Sequence, residues 1–252
     1  MQGEGIHFIG VGATGNRTAM ELCRIYEGIC DGLFYEEYDQ PQNNLHVHSY
    51  PCNEAVCFDE GNLFIILAGL VHDPYWRDAR KSLHESKPYF MLTISIDHQT
   101  GMDADDIQPL PDECLVVPDQ SLSNPVALAQ LVLQIFLIHT PWYISKRGSL
   151  IGYDLYDTKQ MFAGKTAKVI ILTTDEKHFR KSFTRFLGKH KEDVRRTRGI
   201  LMSFSGLPSI REVDELCTET TRLLKPDVGH LLTYQDSSED EPESMATLFF
   251  TL

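Results

Sequence analysis

Hydrophobic and polar positions alternate in blocks along the first half of the chain. The run Ile6–Val11 closes on glycine and predicts a buried strand. Residues 14–27 follow with Ala19, Met20, Leu22 and Cys23 on or near one face, which predicts a helix. Residues 33–35 predict a second strand, ending in Glu36, Glu37 and Asp39. Residues 40–61 are polar and rich in turn formers, with one short strand expected at 46–50. Residues 63–70, LFIILAGL, form a continuous apolar strand of the kind buried on both faces. A helix over 74–86 starts with a proline that its first turn tolerates. Strands at 89–96 and 114–118 continue the series, and the alternation predicts a parallel, doubly wound α/β sheet.

The second half changes character. Residues 125–138, PVALAQLVLQIFLI, are apolar all round and predict a helix buried between two layers or lobes. The run is shorter than the ~18 residues a bilayer span requires. Strands are expected at 168–172 and 199–204, with a helix over 175–187 between them. Ser209 and Glu212 form a capping-box pattern at the start of a further helix. Ile210, Val213, Leu216, Cys217, Leu223 and Leu224 line that helix, and Pro226 ends it. Strands at 230–234 and 245–252 flank the acidic loop DSSEDEPES. The plan is an N-terminal Rossmann-like lobe (1–123), a central helix and loop (124–165) and a smaller C-terminal α/β lobe (166–252).

Charge and cysteine content narrow the function classes. A net charge of −13 over 252 residues argues against nucleic-acid binding, which needs a basic face. It argues equally against attachment to an anionic membrane by charge alone. Six scattered cysteines fit reduced thiols in a cytoplasm better than a disulfide framework, and the N-terminus reads as no signal peptide.

Three constellations carry candidate chemistry. Gly10, Gly12 and Gly15 are spaced G-x-G-x-x-G between a strand and a helix, where backbone N–H groups form an anion site. The same spacing serves strand–helix packing. A dinucleotide fold is one reading, with Glu36, Glu37 or Asp39 on the ribose. An adenylating fold of the ubiquitin-activating type is another, although its arginine and reactive cysteine have no clear counterparts. His46, His48, Cys52 and Cys57 cluster as soft ligands, but their spacing matches no zinc pattern, so no metal is expected. Asp154 and Asp157 stand three apart at a helix start, suited to orienting a water or, more simply, to stabilising the helix N-terminus.

The C-terminal segment RGILMSFSGLPSIREVDELCTETTRLLKPDVGHLLTYQDSSEDEPESMATLFFTL resembles the last domain of the bacterial cell-division family FtsZ. The order of Arg198–Gly206, Pro208, Glu212 to Glu215, Pro226, Asp227 and the strand around Thr247 carries the resemblance. IGVGATGNR is similar to the family's first phosphate loop, with Asn16 at its asparagine. LFIILAGL, LVVPDQSL and LIGYDLYDTKQMF are similar to further family segments, the last being the loop that completes the neighbouring subunit's GTPase site. The resemblance implies a tubulin-type fold and nucleotide binding at Gly10, Gly12, Gly15 and Asn16. It also implies catalytic carboxylates at Asp154 and Asp157. Function would then be head-to-tail self-association into cytoskeletal filaments that scaffold division or membrane remodelling, with a membrane-associated protein as a further partner.

The departures from that pattern bear on the nucleotide. Where the family carries the glycine-rich tubulin signature, this chain reads VHDPYWR, and Tyr75 and Trp76 are expected to crowd the phosphates. Pro125 stands near the guanine-reading position, and Gly152 replaces an asparagine of the catalytic loop. GTP binding and hydrolysis are therefore expected to be degraded or lost, with no cofactor required. A Rossmann-fold nucleotide- or dinucleotide-dependent enzyme and a non-polymerising regulator that binds FtsZ are the alternatives.

Overall fold

A computed structural model describes residues 6–12, 15, 16, 18, 45–50, 63–68, 74–95, 107–118, 149–151, 155–207, 209–235 and 243–251. The strand expected at 33–35, the apolar helix at 125–138, Asp154, and the acidic residues 236–242 lie outside them. Two units divide the chain. The first comprises Met1–Leu131 with Ala163–Lys165, and the second Val132–Phe162 with Thr166–Leu252.

The first unit is built on five parallel strands. They are β1 (Ile6–Val11), β2 (Leu45–Tyr50), β3 (Leu63–Ala68), β4 (Phe90–Ser95) and β5 (Glu113–Pro118), in the order β2-β1-β3-β4-β5. Residues 90–94 of β4 are fully buried, as expected of a strand covered on both faces. One cover is helix α1 (Pro74–Glu85). Its Trp76, Ala79 and Leu83 share one face and pack on Ile9, Val11, Met91 and Leu115. The helix stops at Lys87, whose φ of 54° is left-handed, and Pro88 prevents its continuation.

The second unit mixes strand directions. β6 (Ser149–Ile151), β7 (Lys165–Asp175), β8 (Gly199–Ser205), β9 (Gly229–Gln235) and β10 (Glu243–Thr251) take the order β7-β10-β8-β9-β6. β10 is antiparallel to β7 and β8, β8 is parallel to β9, and β6 is antiparallel to β9. Helix α2 (Leu155–Phe162) precedes β7, and Phe162 meets Phe249 edge-on at 6.3 Å. α3 (Glu176–Lys189), α4 (Lys191–Arg196) and α5 (Ile210–Thr221) complete the unit. Phe179, Phe183 and Leu187 of α3 join Val213 and Leu216 of α5 over Ile170, Met202, Phe204, Leu248 and Phe250. The Phe183 and Phe204 rings are 5.6 Å apart. After β8 the chain turns at Gly206 with φ 67°. There Ser244 donates to the Gly206 carbonyl at 2.6 Å, and the Tyr234 hydroxyl donates to that of Leu207 at 2.9 Å.

Caps set the helix limits. The Asp175 carboxylate accepts from the His178 backbone N–H and pairs with its ring at 2.8 Å, which holds the carboxyl below its ordinary range. Ser209 accepts from the Glu212 N–H at 3.3 Å, as the capping pattern predicts. Arg180, and then Arg211, lower the Glu215 carboxyl in the same sense. A lowered folded value means stabilisation present above the unfolded carboxylate range and lost as pH falls through it. The thermal midpoint is therefore expected to fall on acidification below about pH 4.

Three expectations are corrected. Ile210 was assigned to the inner face of its helix but is 52% exposed, because that face is set by Val213, Leu216 and Thr220. The helix ends at Thr221, so Leu223 and Leu224 reach the core from the following turn. β7 extends beyond 168–172 at both ends, and its polar C-terminal residues Thr173, Thr174 and Asp175 still pair with β10. Gly188 gives a simple test of helix energetics. No atom lies within 4 Å of where its Cβ would stand, and the residue is exposed. Gly188→Ala is expected to stabilise the chain by about 0.5 kcal/mol in urea unfolding.

Candidate nucleotide-type site at the first strand–helix turn

β1 lies between β2 and β3, so the chain reaches its two neighbours on opposite sides. In an open parallel sheet the crevice for a ligand falls at the carboxyl ends of strands at such a point. Val11, at that edge, is in register with Tyr50 of β2 and Ala68 of β3. The next residue, Gly12, has φ 69°, a left-handed value glycine adopts without strain. Helical backbone follows at Gly15, Asn16 and Thr18.

The turn is held from within. A Cβ on Gly10 would stand 2.5 Å from the Asn16 Cα and 2.7 Å from its N. Gly10 is thus required for the helix to lie against the strand, whatever binds above it. Gly15 is buried, and Asn16 is half-buried and already engaged in an interaction. The structure thus brings together Gly10, Gly12, Gly15 and Asn16.

The α1 end is less suited to an anion. Pro74 has no N–H, so the helix starts with one donor fewer than the four a helix N-terminus leaves free. Tyr75 and Arg77 are exposed. Trp76 corrects the sequence expectation: it is 2% exposed in the core rather than crowding the phosphate side. Its spacing to Ala79 and Leu83 was the available signal. Val71 to Asp73, and Glu36, Glu37 and Asp39, lie outside the described residues.

Asp157 is exposed in the first turn of α2, where a carboxylate favours the helix N-terminus. Its partner Asp154 lies outside the described residues, so the pair's geometry has no structural counterpart. His46 and His48 fall within β2, and Cys52 and Cys57 lie outside the described residues. Among the described residues, no three His, Cys, Asp or Glu side chains form a metal-holding group.

A buried charge pair stands at the start of β5, with no local pattern to announce it. Glu113 opens β5 with no exposed surface and accepts from Arg80 Nε at 2.9 and 2.7 Å, one bond to each carboxylate oxygen. It also accepts from the Thr93 hydroxyl at 2.6 Å and the Leu110 N–H at 2.8 Å. Arg80 lies 5.0 Å from the Trp76 ring centroid. The pair fastens α1 to β4 and β5. Its members are 33 residues apart, a separation no local pattern reports.

Cys114 and Cys217 are free thiols. Burial, and then the Asp214 charge, push the Cys217 thiol up to about 12, and burial raises Cys114 as well. Iodoacetamide at pH 8 is expected to label Cys217 at least tenfold more slowly than an unperturbed thiol, because the reactive thiolate is scarce there. Labelling at the free-thiol rate would contradict this. Among the described residues, no helix is long and apolar enough to cross a membrane.

No protein-family model and no curated protein matches the chain. Solved structures do match. An FtsZ dimer from M. jannaschii, described as empty, aligns over 100% of this chain and 89% of its own at TM-score 0.59 and 14% identity. A point mutant of M. jannaschii FtsZ aligns over 99% of this chain and 91% of its own, at TM-score 0.53 and 14% identity. CetZ from Methanosaeta thermophila aligns over 97% and 85%, at TM-score 0.51 and 11% identity. The chain has a divergent FtsZ/tubulin-like fold.

Proposed function

We propose that this chain is a cytoplasmic, cytoskeletal protein that self-assembles head to tail into filaments without requiring a nucleotide. In that role it scaffolds division or membrane remodelling, with a membrane-associated protein as a further partner. The observation that carries the reading is agreement in fold with FtsZ along the whole chain, at a TM-score of 0.59. The FtsZ structure concerned is itself a dimer. Head-to-tail contacts that do not close generate open filaments.

Reduced dependence on GTP is supported by the missing donor at Pro74 and by the internal reason for Gly10. Any remaining GTP would meet Gly10, Gly12, Gly15 and Asn16, and any hydrolysis would rest on Asp154 and Asp157. Negative-stain electron microscopy of the purified full chain over rising concentration tests the assembly. Filaments one subunit wide are expected. Isolated monomers at every concentration would instead favour a non-polymerising regulator.

A further inference from the structure

The net charge of −13 belongs to the first unit, which holds 20 Asp and Glu against 7 Lys and Arg, whereas the second holds 16 of each. Within that neutral unit α3 is strongly basic, with Glu176 as its one carboxylate against five Lys and Arg. Four of the five, Lys177, Lys181, Arg185 and Lys189, stand four residues apart in a single row. The row is centred about 180° around the helix from Phe179, Phe183 and Leu187, which the core buries. It runs about 18 Å along the axis at ~1.5 Å per residue. All four residues are exposed. Among the described residues, none of their side chains has a hydrogen-bond or ion-pair partner. Arg180, off the row, pairs with Glu215 instead.

The helix itself gains nothing from this pattern. Like charges at i,i+4 spacing destabilise a helix, and the row contains three such contacts in succession. Lys177 stands in the first turn, at the positive end of the helix dipole, where a carboxylate is favoured. Lys189 alone, in the last turn, suits the dipole.

Neighbouring carboxylates leave the row unneutralised. Glu176 lies about 100° around the helix from Lys177, on the side away from the row. Asp175 pairs with His178, Glu192 with Arg195, and Asp193 with Lys168. Carboxylates beyond the Debye length of about 8 Å are largely screened, so local charge rather than the charge of the chain governs adsorption.

We infer that this row seats α3 on an anionic lipid surface. Clusters of four or more Lys and Arg on an amphipathic helix bind such surfaces, each cation multiplying the affinity about fivefold. The flexible stems let all four charges reach one plane although the row drifts around the helix. The apolar side of α3 is already spent on the core, so the contact is electrostatic adsorption without insertion. A protein partner is less suited, because its energy would come from a desolvated aromatic or aliphatic anchor. The exposed large hydrophobic residues are Tyr75, Tyr156 and Ile210, none of them on α3. A nucleic acid is less suited too, since α3 exposes no Phe, Tyr, Trp, Asn or Gln to stack on or read a base. The inference goes beyond the proposed assembly: a single copy suffices for the contact, and a filament would repeat it.

Co-sedimentation of the full chain with sucrose-loaded vesicles tests the contact, at a protein concentration that does not pellet alone. Binding is expected to phosphatidylcholine vesicles that contain phosphatidylglycerol, to be absent from pure phosphatidylcholine, and to weaken as sodium chloride rises. K181Q/R185Q is expected to lose about 25-fold in affinity, two factors of about five. The control R222Q/K225Q removes the same charge from exposed positions off the row and is expected to stay within about twofold. Lys181→Glu is expected to lose binding without lowering the thermal midpoint, because it turns two like-charge contacts into attractive ones. Equal binding to both vesicle types overturns the inference, as does wild-type binding by K181Q/R185Q or an equal loss in the control. Saturable binding to duplex DNA or polyglutamate without binding to phosphatidylglycerol would assign the row to another polyanion and overturn it as well. Assembly without vesicle binding removes the lipid contact alone, and vesicle binding without assembly removes the filament alone.

Discussion

Arg80→Met is expected to destabilise the first unit by about 3–5 kcal/mol at neutral pH, the usual consequence of leaving a buried charge without its partner. Glu113 is fully buried, and the Arg80 side chain is 14% exposed. Methionine matches the arginine stem but supplies no donor. The Glu113 carboxylate then keeps only the Thr93 hydroxyl and the Leu110 N–H. Replacing both partners, as R80M/E113L, is expected to recover most of the loss, because apolar side chains remove the buried charge altogether. Recovery stops short of wild type, since Thr93 and Leu110 lose an acceptor. Trp76, packed beside Arg80, reports the transition by fluorescence in urea. A loss below about 1 kcal/mol for the single variant would show that the pair does not fasten α1.

Gly10→Ala is expected to cost about 3 kcal/mol, the upper range of overpacking penalties. The obstruction is backbone, with the Asn16 Cα 2.5 Å from the new methyl position, so no side-chain rotation relieves it. The helix bearing Gly15 and Asn16 must move off β1. Loss of stability in the absence of any nucleotide is the informative outcome. It would mean that the turn is maintained for packing, independently of a ligand. If Gly10→Ala unfolds at wild-type urea concentrations, the close approach of helix and strand is wrong.

Strands were the most legible part of the fold. The expected Ile6–Val11 coincides with β1, and the apolar runs at 63–70, 89–96 and 114–118 give β3, β4 and β5 with small shifts at their ends. Continuous apolar sequence is what burial on both faces demands. The sequence pattern understates β7 because Thr173, Thr174 and Asp175 enter the sheet by backbone pairing with β10, which hydrophobicity does not record. The short α4 was missed altogether: it buries Val194 alone, too little for a periodic signal. Thr220 holds a core position by donating to the Leu216 carbonyl at 2.9 Å, a polar residue that a hydrophobic pattern passes over.

The candidate site was legible in part. The glycine turn shows in the sequence because left-handed φ and close backbone approach select one residue type. Trp76 faces the core because its spacing to Ala79 and Leu83 sets all three on one side of α1, a stronger determinant than the size of a single aromatic residue. The Arg80–Glu113 pair is a product of tertiary contact and has no local signature.

Assembly that does not need a nucleotide is decided by the critical concentration for sedimentation, measured with and without GTP. Nucleotide-free protein is expected to pellet above a defined concentration, and GTP to move that concentration by less than about twofold, under 0.5 kcal/mol per contact. Pelleting that appears only with GTP would contradict nucleotide-independent assembly.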